Sequence, residues 1–217
     1  MSDALRVTVF DYGAGNLHSL VKALEAPDTI VQVETDPKRA VQGADAFILP
    51  GVGAFAPAAE RLKSGLAEIR EALRRGLPCL GICLGMQLLY EGSSEGEGDG
   101  IAMLAGRVTK LNARCVPQIG WNSLQLGERA DSLFAESGLN MAWFANSFVA
   151  RPTKDTESSV IAWSEHERDR FPSAVRSGHV VGAQFHPEKS STAGVQFVRA
   201  FLNEARAVRF SLQPSGR

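Results

Sequence analysis

What the chain has little of narrows its functions first. Lysine and arginine number 23 against 24 aspartates and glutamates, a formal net charge of −1. No basic field is therefore available to hold a phosphate backbone or an anionic membrane surface. Nowhere do the roughly 18 consecutive apolar residues of a membrane helix occur, and the opening MSDALRVTVF lacks the basic stretch and apolar core of a secretory signal. The expectation is a cytoplasmic protein with no nucleic acid and no membrane among its partners. Cysteine is scarce too. Cys79, Cys83 and Cys115 are an odd number, with no C-x-x-C pair and no nearby histidine at zinc-ligand spacing. That argues against a disulfide framework and a metal site. Neither a G-x-x-x-x-G-K-[ST] loop nor a complete dinucleotide fingerprint is present, so no cofactor is expected. A special cysteine in such a chain reads as a nucleophile.

What is present is a chain of 217 residues, 44% apolar, long enough to bury a substantial core. The prior of about 100–200 residues per domain allows one domain or two, and one spanning residues 1–217 is expected. Apolar, β-branched runs at 6–10, 29–33, 46–49 and 78–82 alternate with amphipathic stretches, the order of an α/β fold with a parallel sheet. A first helix is expected near Asn16, its N-cap, with Leu17, Leu20, Val21 and Leu24 on one stripe. Asp36 before Pro37 marks a short second helix. Leu62, Leu66, Ile69 and Leu73 predict one surface helix over 57–75, closed by Gly76. The segment EGSSEGEGDG at 91–100 has no apolar side chain and reads as an exposed loop. Further strands at 106–111, 141–148, 159–163, 174–176 and 180–185, then a helix near 193–207, make the second half mixed and partly antiparallel.

Cys83 lies between a short apolar strand and an apolar helix in PCLGICLGMQLLY, with Gly81 two residues before it and Gly85 two after. A nucleophile on a sharp strand-to-helix turn needs such neighbours, because residues without Cβ let strand and helix approach closely. The helix N-terminus also favours thiolate. Cys79 and Cys115 read as structural. Of the four histidines, His18, His166 and His179 read as helix-face, charged-stretch and turn residues. His186 ends the apolar run VVGAQF, where parallel sheets present ligand sites, and Pro187 fixes the chain after it. Glu188, two residues on, projects to the same side in extended chain and could orient the imidazole. Taken alone it reads equally as a solvated loop carboxylate. Likewise Pro50, Gly51, Val52 and Gly53 after the strand AFIL suit a turn that aims backbone N–H groups at an oxyanion, or an ordinary glycine turn.

GICLGMQ together with QFHPEKS resembles the class I (triad) glutamine amidotransferases. The resemblance implies a flavodoxin-like three-layer sandwich, a Cys83, His186 and Glu188 triad that hydrolyses L-glutamine, and an oxyanion hole from the 51–53 loop and the amide of Leu84. Gln87 and Ser147 match positions that hold the glutamine, and Gly53 lines the same pocket. Within the family, DYGAGNLHSL, PGVGAF and IGWN resemble the glutaminase subunits of imidazole glycerol phosphate synthases of histidine biosynthesis. These work as heterodimers, delivering ammonia to a (β/α)8-barrel cyclase subunit. The chain departs from that pattern at Gln118, where HIGWN is usual, and at Trp143, Ala145, Asn146 and Phe148, where YFVHSY is usual. By resemblance both segments lie near the glutamine pocket and the face that docks the synthase. The rival readings are a glutaminase serving another synthase, a non-catalytic glutaminase-like regulatory module, and a cysteine hydrolase or isomerase of another small molecule.

Overall fold

The computed structural model of the chain describes residues 4–13, 15, 17–127 and 131–212. The first half alternates strand and helix: β1 (Leu5–Phe10), α1 (His18–Leu24), β2 (Thr29–Glu34), α2 (Pro37–Ala40), β3 (Ala46–Leu49), α3 (Phe55–Leu62), α4 (Leu66–Arg74), β4 (Cys79–Ile82) and α5 (Leu84–Gln87). The second half is richer in strand: β5 (Gly92–Ser93), β6 (Gly106–Lys110), β7 (Gln118–Ser123), β8 (Gln125–Leu126), α6 (Ser132–Ser137), β9 (Met141–Asn146), β10 (Phe148–Pro152), β11 (Val160–His166), β12 (Asp169–Ser177), β13 (Val180–Ala183) and α7 (Ser191–Leu212).

The central sheet runs β2-β1-β3-β4-β13-β12-β11-β8. Pairing is parallel from β2 through β13 and antiparallel from there to β8. Two smaller sheets, β10-β6-β5 and β7-β9, lie beside it. This is the mostly parallel three-layer sandwich with a smaller antiparallel part.

Why β3 and β4 are buried along their whole length follows from the layers. A parallel sheet covered on both faces has no solvent side, so its strands need not alternate apolar with polar. The period-two geometry sorts them instead. Ala46, Ile48, Leu80 and Ile82 join the core under α1, α6 and α7, which includes Leu20, Leu24, Phe134 and Phe197. Phe47, Leu49 and Cys79 join the core under α3, α4 and α5, with Phe55, Leu62 and Ile69. On the first face Phe134, Phe144, Phe171, Phe185 and Phe197 interlock at ring-centroid distances of 5.1–6.5 Å. Such pairs contribute about 0.5–1.5 kcal/mol each beyond area burial.

Several expectations need correction. Asn16 lies outside the described residues; the described helix starts at His18. The helix expected over 57–75 is two helices joined by a 3-10 turn at Lys63–Gly65. The break occurs because α2 crosses there, and a Cβ on Gly65 would sit 2.7 Å from the Pro37 carbonyl carbon. The acidic 91–100 loop is not wholly exposed: Gly92 and Ser93 pair with β6, and Arg70 holds its far end by donating to the carbonyls of Gly100 and Ile101 at 2.9 and 2.7 Å. The strand expected over 141–148 is divided at Ser147 between β9 and β10, which belong to different sheets. Asp36 caps α2 as its sequence predicts, accepting from the Lys38 N–H at 2.9 Å.

The β3, β4 and α5 junction has the least room to vary. A Cβ on Gly81 would lie 2.6 Å from the Gly85 carbonyl oxygen, and one on Gly85 would lie 2.0 Å from that of Leu49. Alanine in a helix normally gains about 1 kcal/mol over glycine, but here the clash is with backbone that cannot turn aside. Gly85→Ala should destabilise the chain by at least about 2–3 kcal/mol. Gly127→Ala, with nothing within 4 Å of the new methyl, should change stability by less than about 0.5 kcal/mol. Urea midpoints of the two variants check this, and equal midpoints would refute the packing account.

Candidate active site

β3, β4 and β13 are neighbours in the middle of the sheet, and their carboxyl ends lie side by side. Cys83 follows β4 as the N-cap of α5, with φ 48° and ψ −105°. A non-glycine residue there costs about 1–3 kcal/mol. The surroundings hold it: its N–H donates to the Ala183 carbonyl at 2.6 Å, and its own carbonyl accepts from the Gln87 N–H at 3.1 Å. Only 8% of the residue is exposed. Gly51, after β3, packs against both Cys83 and His186, since a Cβ on it would lie 2.9 Å from Cys83 Cβ and 2.9 Å from His186 Cε1.

His186 follows β13. Its N–H donates to the Trp143 carbonyl at 2.8 Å, and its carbonyl accepts from Ser190 Oγ at 2.6 Å. Nδ1 meets Glu188 Oε1 at 2.8 Å, both side chains under one-tenth exposed. The pairing does not arise from extended chain as expected. Pro187–Lys189 form a 3-10 turn, and that turn brings the carboxylate back under the ring. Burial works against a charged imidazole, but hydrogen bonds to Cys83 and Glu188 and the charge of both outweigh it and push His186 up to about 10.

A pocket of about 220 Å³ opens over the sulfur, lined by Gly51, Gly53, Cys83, Leu84, Gln87 and Ser147, and by Glu95, Ala145, Asn146 and Phe148. It is below the roughly 300–1,000 Å³ of drug-sized sites and in scale with one amino acid. Larger clefts, such as that of about 410 Å³ beside Arg6, Asp45 and Arg75, contain no cysteine or histidine in their lining. Val52 lies outside this lining; its side chain packs partly buried against the α3 and α4 core. Leu84 opens α5, so its N–H has no partner within the helix. Among the described residues no group of three His, Cys, Asp or Glu is placed to hold a metal ion.

Three residues escaped the sequence reading. Glu95, inside the acidic loop, accepts from the Phe55 N–H at 3.1 Å while lining the pocket. Gln184 is fully buried behind Cys83. Asn146 was noted only as a departure, yet its side chain donates to the Phe148 carbonyl at 3.2 Å, and it stands directly across β7-β9 from Gln118. Nothing in an acidic loop or an apolar run marks such roles in advance. His18, His166 and His179 lie outside the pocket lining; His166 meets the Cys115 carbonyl at 2.8 Å.

A cysteine, a histidine and a carboxylate grouped beside a small pocket can carry out cysteine-hydrolase chemistry, and sequence comparison decides the family. The model of the Glutamine amidotransferase class-I family matches residues 8–205. The chain belongs to the class I glutamine amidotransferases. This amidotransferase is 43% identical over 210 residues to imidazole glycerol phosphate synthase subunit HisH of Lactiplantibacillus plantarum, covering 94% of this chain and 98% of the other. To the subunit of the same name from Trichodesmium erythraeum it is 38% identical over 205 residues, covering 91% and 94%. Among solved structures, PurLQS from Thermotoga maritima shares the fold with a TM-score of 0.72 at 22% identity, covering 93% of the amidotransferase and 99% of that chain.

The raised His186 has a consequence for pH. The unfolded chain releases this proton near 6.5 and the folded one near 10. Its stabilising contribution is thus complete below pH 6.5 and lost as pH rises through about 10. NMR of the ring nuclei should find His186 protonated at about pH 8, where an exposed histidine is neutral. Cys83→Ala should bring its titration down by removing one of the two raising partners. A His186 that titrates near 6.5 in the native protein would contradict the geometry.

Proposed function

We propose that this amidotransferase is the glutaminase subunit of an imidazole glycerol phosphate synthase, with Cys83, His186 and Glu188 as its catalytic triad. The observation that carries the reading is a buried His186 paired with Glu188 at 2.8 Å and packed, together with Cys83, against Gly51, beside an amino-acid-sized pocket that Cys83 lines. The Cys83 thiolate attacks the side-chain amide carbon of glutamine. Backbone N–H groups of the 51–53 loop and Leu84 receive the oxyanion. His186 gives its proton to the departing nitrogen, ammonia leaves, and a thioester remains. His186 then takes a proton from water, which attacks the thioester and releases glutamate and the thiol. Glu188 accepts from the Nδ1–H throughout, so that Nε2 is the nitrogen that gives up and regains the proton.

The pocket gives its other residues parts as well. Both side-chain N–H groups of Gln87 are committed, to the Phe148 carbonyl at 2.9 Å and to Gln184 Oε1 at 3.1 Å. Only its carbonyl oxygen is left for substrate, so Gln87 accepts from glutamine rather than donating to it. Glu95 is the acidic side chain of the lining and suits the α-ammonium. Ser147 supplies a hydroxyl for the amino-acid head. The β7-β9 ribbon beside the pocket exposes Ile119, Trp121 and Met141, which are 68%, 50% and 50% exposed. This apolar face is the proposed seat of the synthase partner, a (β/α)8-barrel cyclase subunit in a heterodimer, and the cytoplasm the proposed location.

The test is glutamate release from L-glutamine by the purified chain, alone and with the barrel subunit of the same organism plus its ribonucleotide substrate. Strong stimulation is expected in the mixture, and Cys83→Ala should lower turnover at least ~10³-fold. Turnover without stimulation would reject this partner but keep the glutaminase. Undiminished turnover in Cys83→Ala would reject the triad.

A further inference from the structure

The mechanism leaves one buried polar group beside the nucleophile without a task. Gln184 is 0% exposed. Its Nε2 lies 3.5 Å from Cys83 Sγ, and its Oε1 accepts from Gln87 Nε2 at 3.1 Å. An amide oxygen and nitrogen look alike in outline, so which end faces the sulfur must come from the hydrogen-bond chain. That chain has a fixed origin. The Phe148 carbonyl is backbone and accepts only; Gln87 Nε2 and Asn146 Nδ2 both point at it, at 2.9 and 3.2 Å. This sets the NH₂ end of Gln87, whose second hydrogen goes to Gln184. Gln184 therefore presents oxygen to Gln87 and NH₂ to the sulfur. The reverse orientation would place two donors against each other and a carbonyl against a thiolate, both in a buried site where unmatched polar groups are costly.

We infer that Gln184 is a catalytic donor to Cys83: its amide hydrogen stabilises the thiolate from the side opposite the substrate, aimed by the relay from Phe148 through Gln87. The inference rests on the glutaminase reading for its purpose but not for its geometry. The relay also gives Asn146, one of the departures from the related subunits, a place: it shares the Phe148 carbonyl with Gln87. That carbonyl belongs to the first residue of β10, two residues beyond the end of the partner-facing β9. A change in the ribbon that moves Phe148 is thereby felt at the sulfur.

The test uses Gln184→Met, close in length and without a donor. Carbamidomethylation by iodoacetamide, with loss of iodide, is followed at Cys83 by peptide mass spectrometry across pH. A lost hydrogen bond to a charged group corresponds to roughly tenfold or more in the thiolate equilibrium. The variant's alkylation profile should therefore move to higher pH, with the rate on the acid side of the native midpoint about tenfold lower and kcat for glutamine falling there with it. An unchanged alkylation profile with reduced turnover would make Gln184 a packing residue and overturn the inference. Where Gln184→Met unfolds too readily to compare, the side-chain amide of Gln184 is observed by NMR in the native chain and in Cys83→Ala. Its proton resonances should move when the sulfur is removed; coincident resonances would equally overturn it. Neither readout needs glutamine, so a native chain that alkylates as expected but releases no glutamate would count against the glutaminase reading alone.

Discussion

A left-handed backbone at Cys83, where no side chain favours it, is the constraint around which the neighbouring elements are arranged. The turn ends β4 and begins α5 within a single residue, so the sulfur stands just beyond the carboxyl end of a central strand instead of inside the sheet. That abruptness needs Gly81 and Gly85 in contact and Gly85 against the Leu49 carbonyl. It also needs β13 alongside, because Ala183 receives the Cys83 N–H. The same strand then delivers His186 three residues later. Cys83 and His186 are thus placed by one pair of parallel strands, and the strain at Cys83 is offset by a core packed on both faces of those strands.

Charge in the site is arranged with the same economy. Burial alone would strip His186 of its proton; the carboxylate of Glu188 and the sulfur of Cys83 reverse that. Cys79, only four residues upstream, has desolvation and no partner, and its thiol is pushed far above the ordinary range. Cys115 is exposed, but the Glu167 carboxylate that holds its loop also disfavours thiolate there. Thiolate is thus disfavoured at Cys79 and at Cys115, each for a local cause.

How much of this was legible in the residues varies with the range of the cause. The four parallel strands of the first half, the Asp36 cap and the glycine-flanked cysteine depend on neighbours close in sequence, and they stand where their patterns put them. The break at Gly65 depends on α2 passing nearby, which no periodicity within 57–75 reveals. The strands β7 and β9 pair across an intervening helix, and Gln118 carries no sign that it faces Asn146. Helix α6 was legible and unread: Asp131 caps it and Gly138 ends it in a left-handed turn. Glu188 was paired with His186 by the wrong geometry, since proline at the start of a tight turn, not an extended strand, returns its side chain. The buried amide of Gln184 was hidden because a glutamine within an apolar run looks the same whether it props a wall or faces a sulfur.

The ribbon formed by β7 and β9 carries a further property. Two of the chain's three tryptophans, Trp121 and Trp143, stand opposite one another on it with rings edge to face at 6.1 Å. The third, Trp163, is stacked under the Arg170 guanidinium at 4.0 Å in the central sheet. Indole emission shifts with the polarity around the ring, and half of Trp121 meets solvent. The intrinsic fluorescence of this protein is thereby weighted toward a single patch of its surface, next to the pocket. Whatever lies against that patch is recorded in the colour of the emitted light, with no label attached.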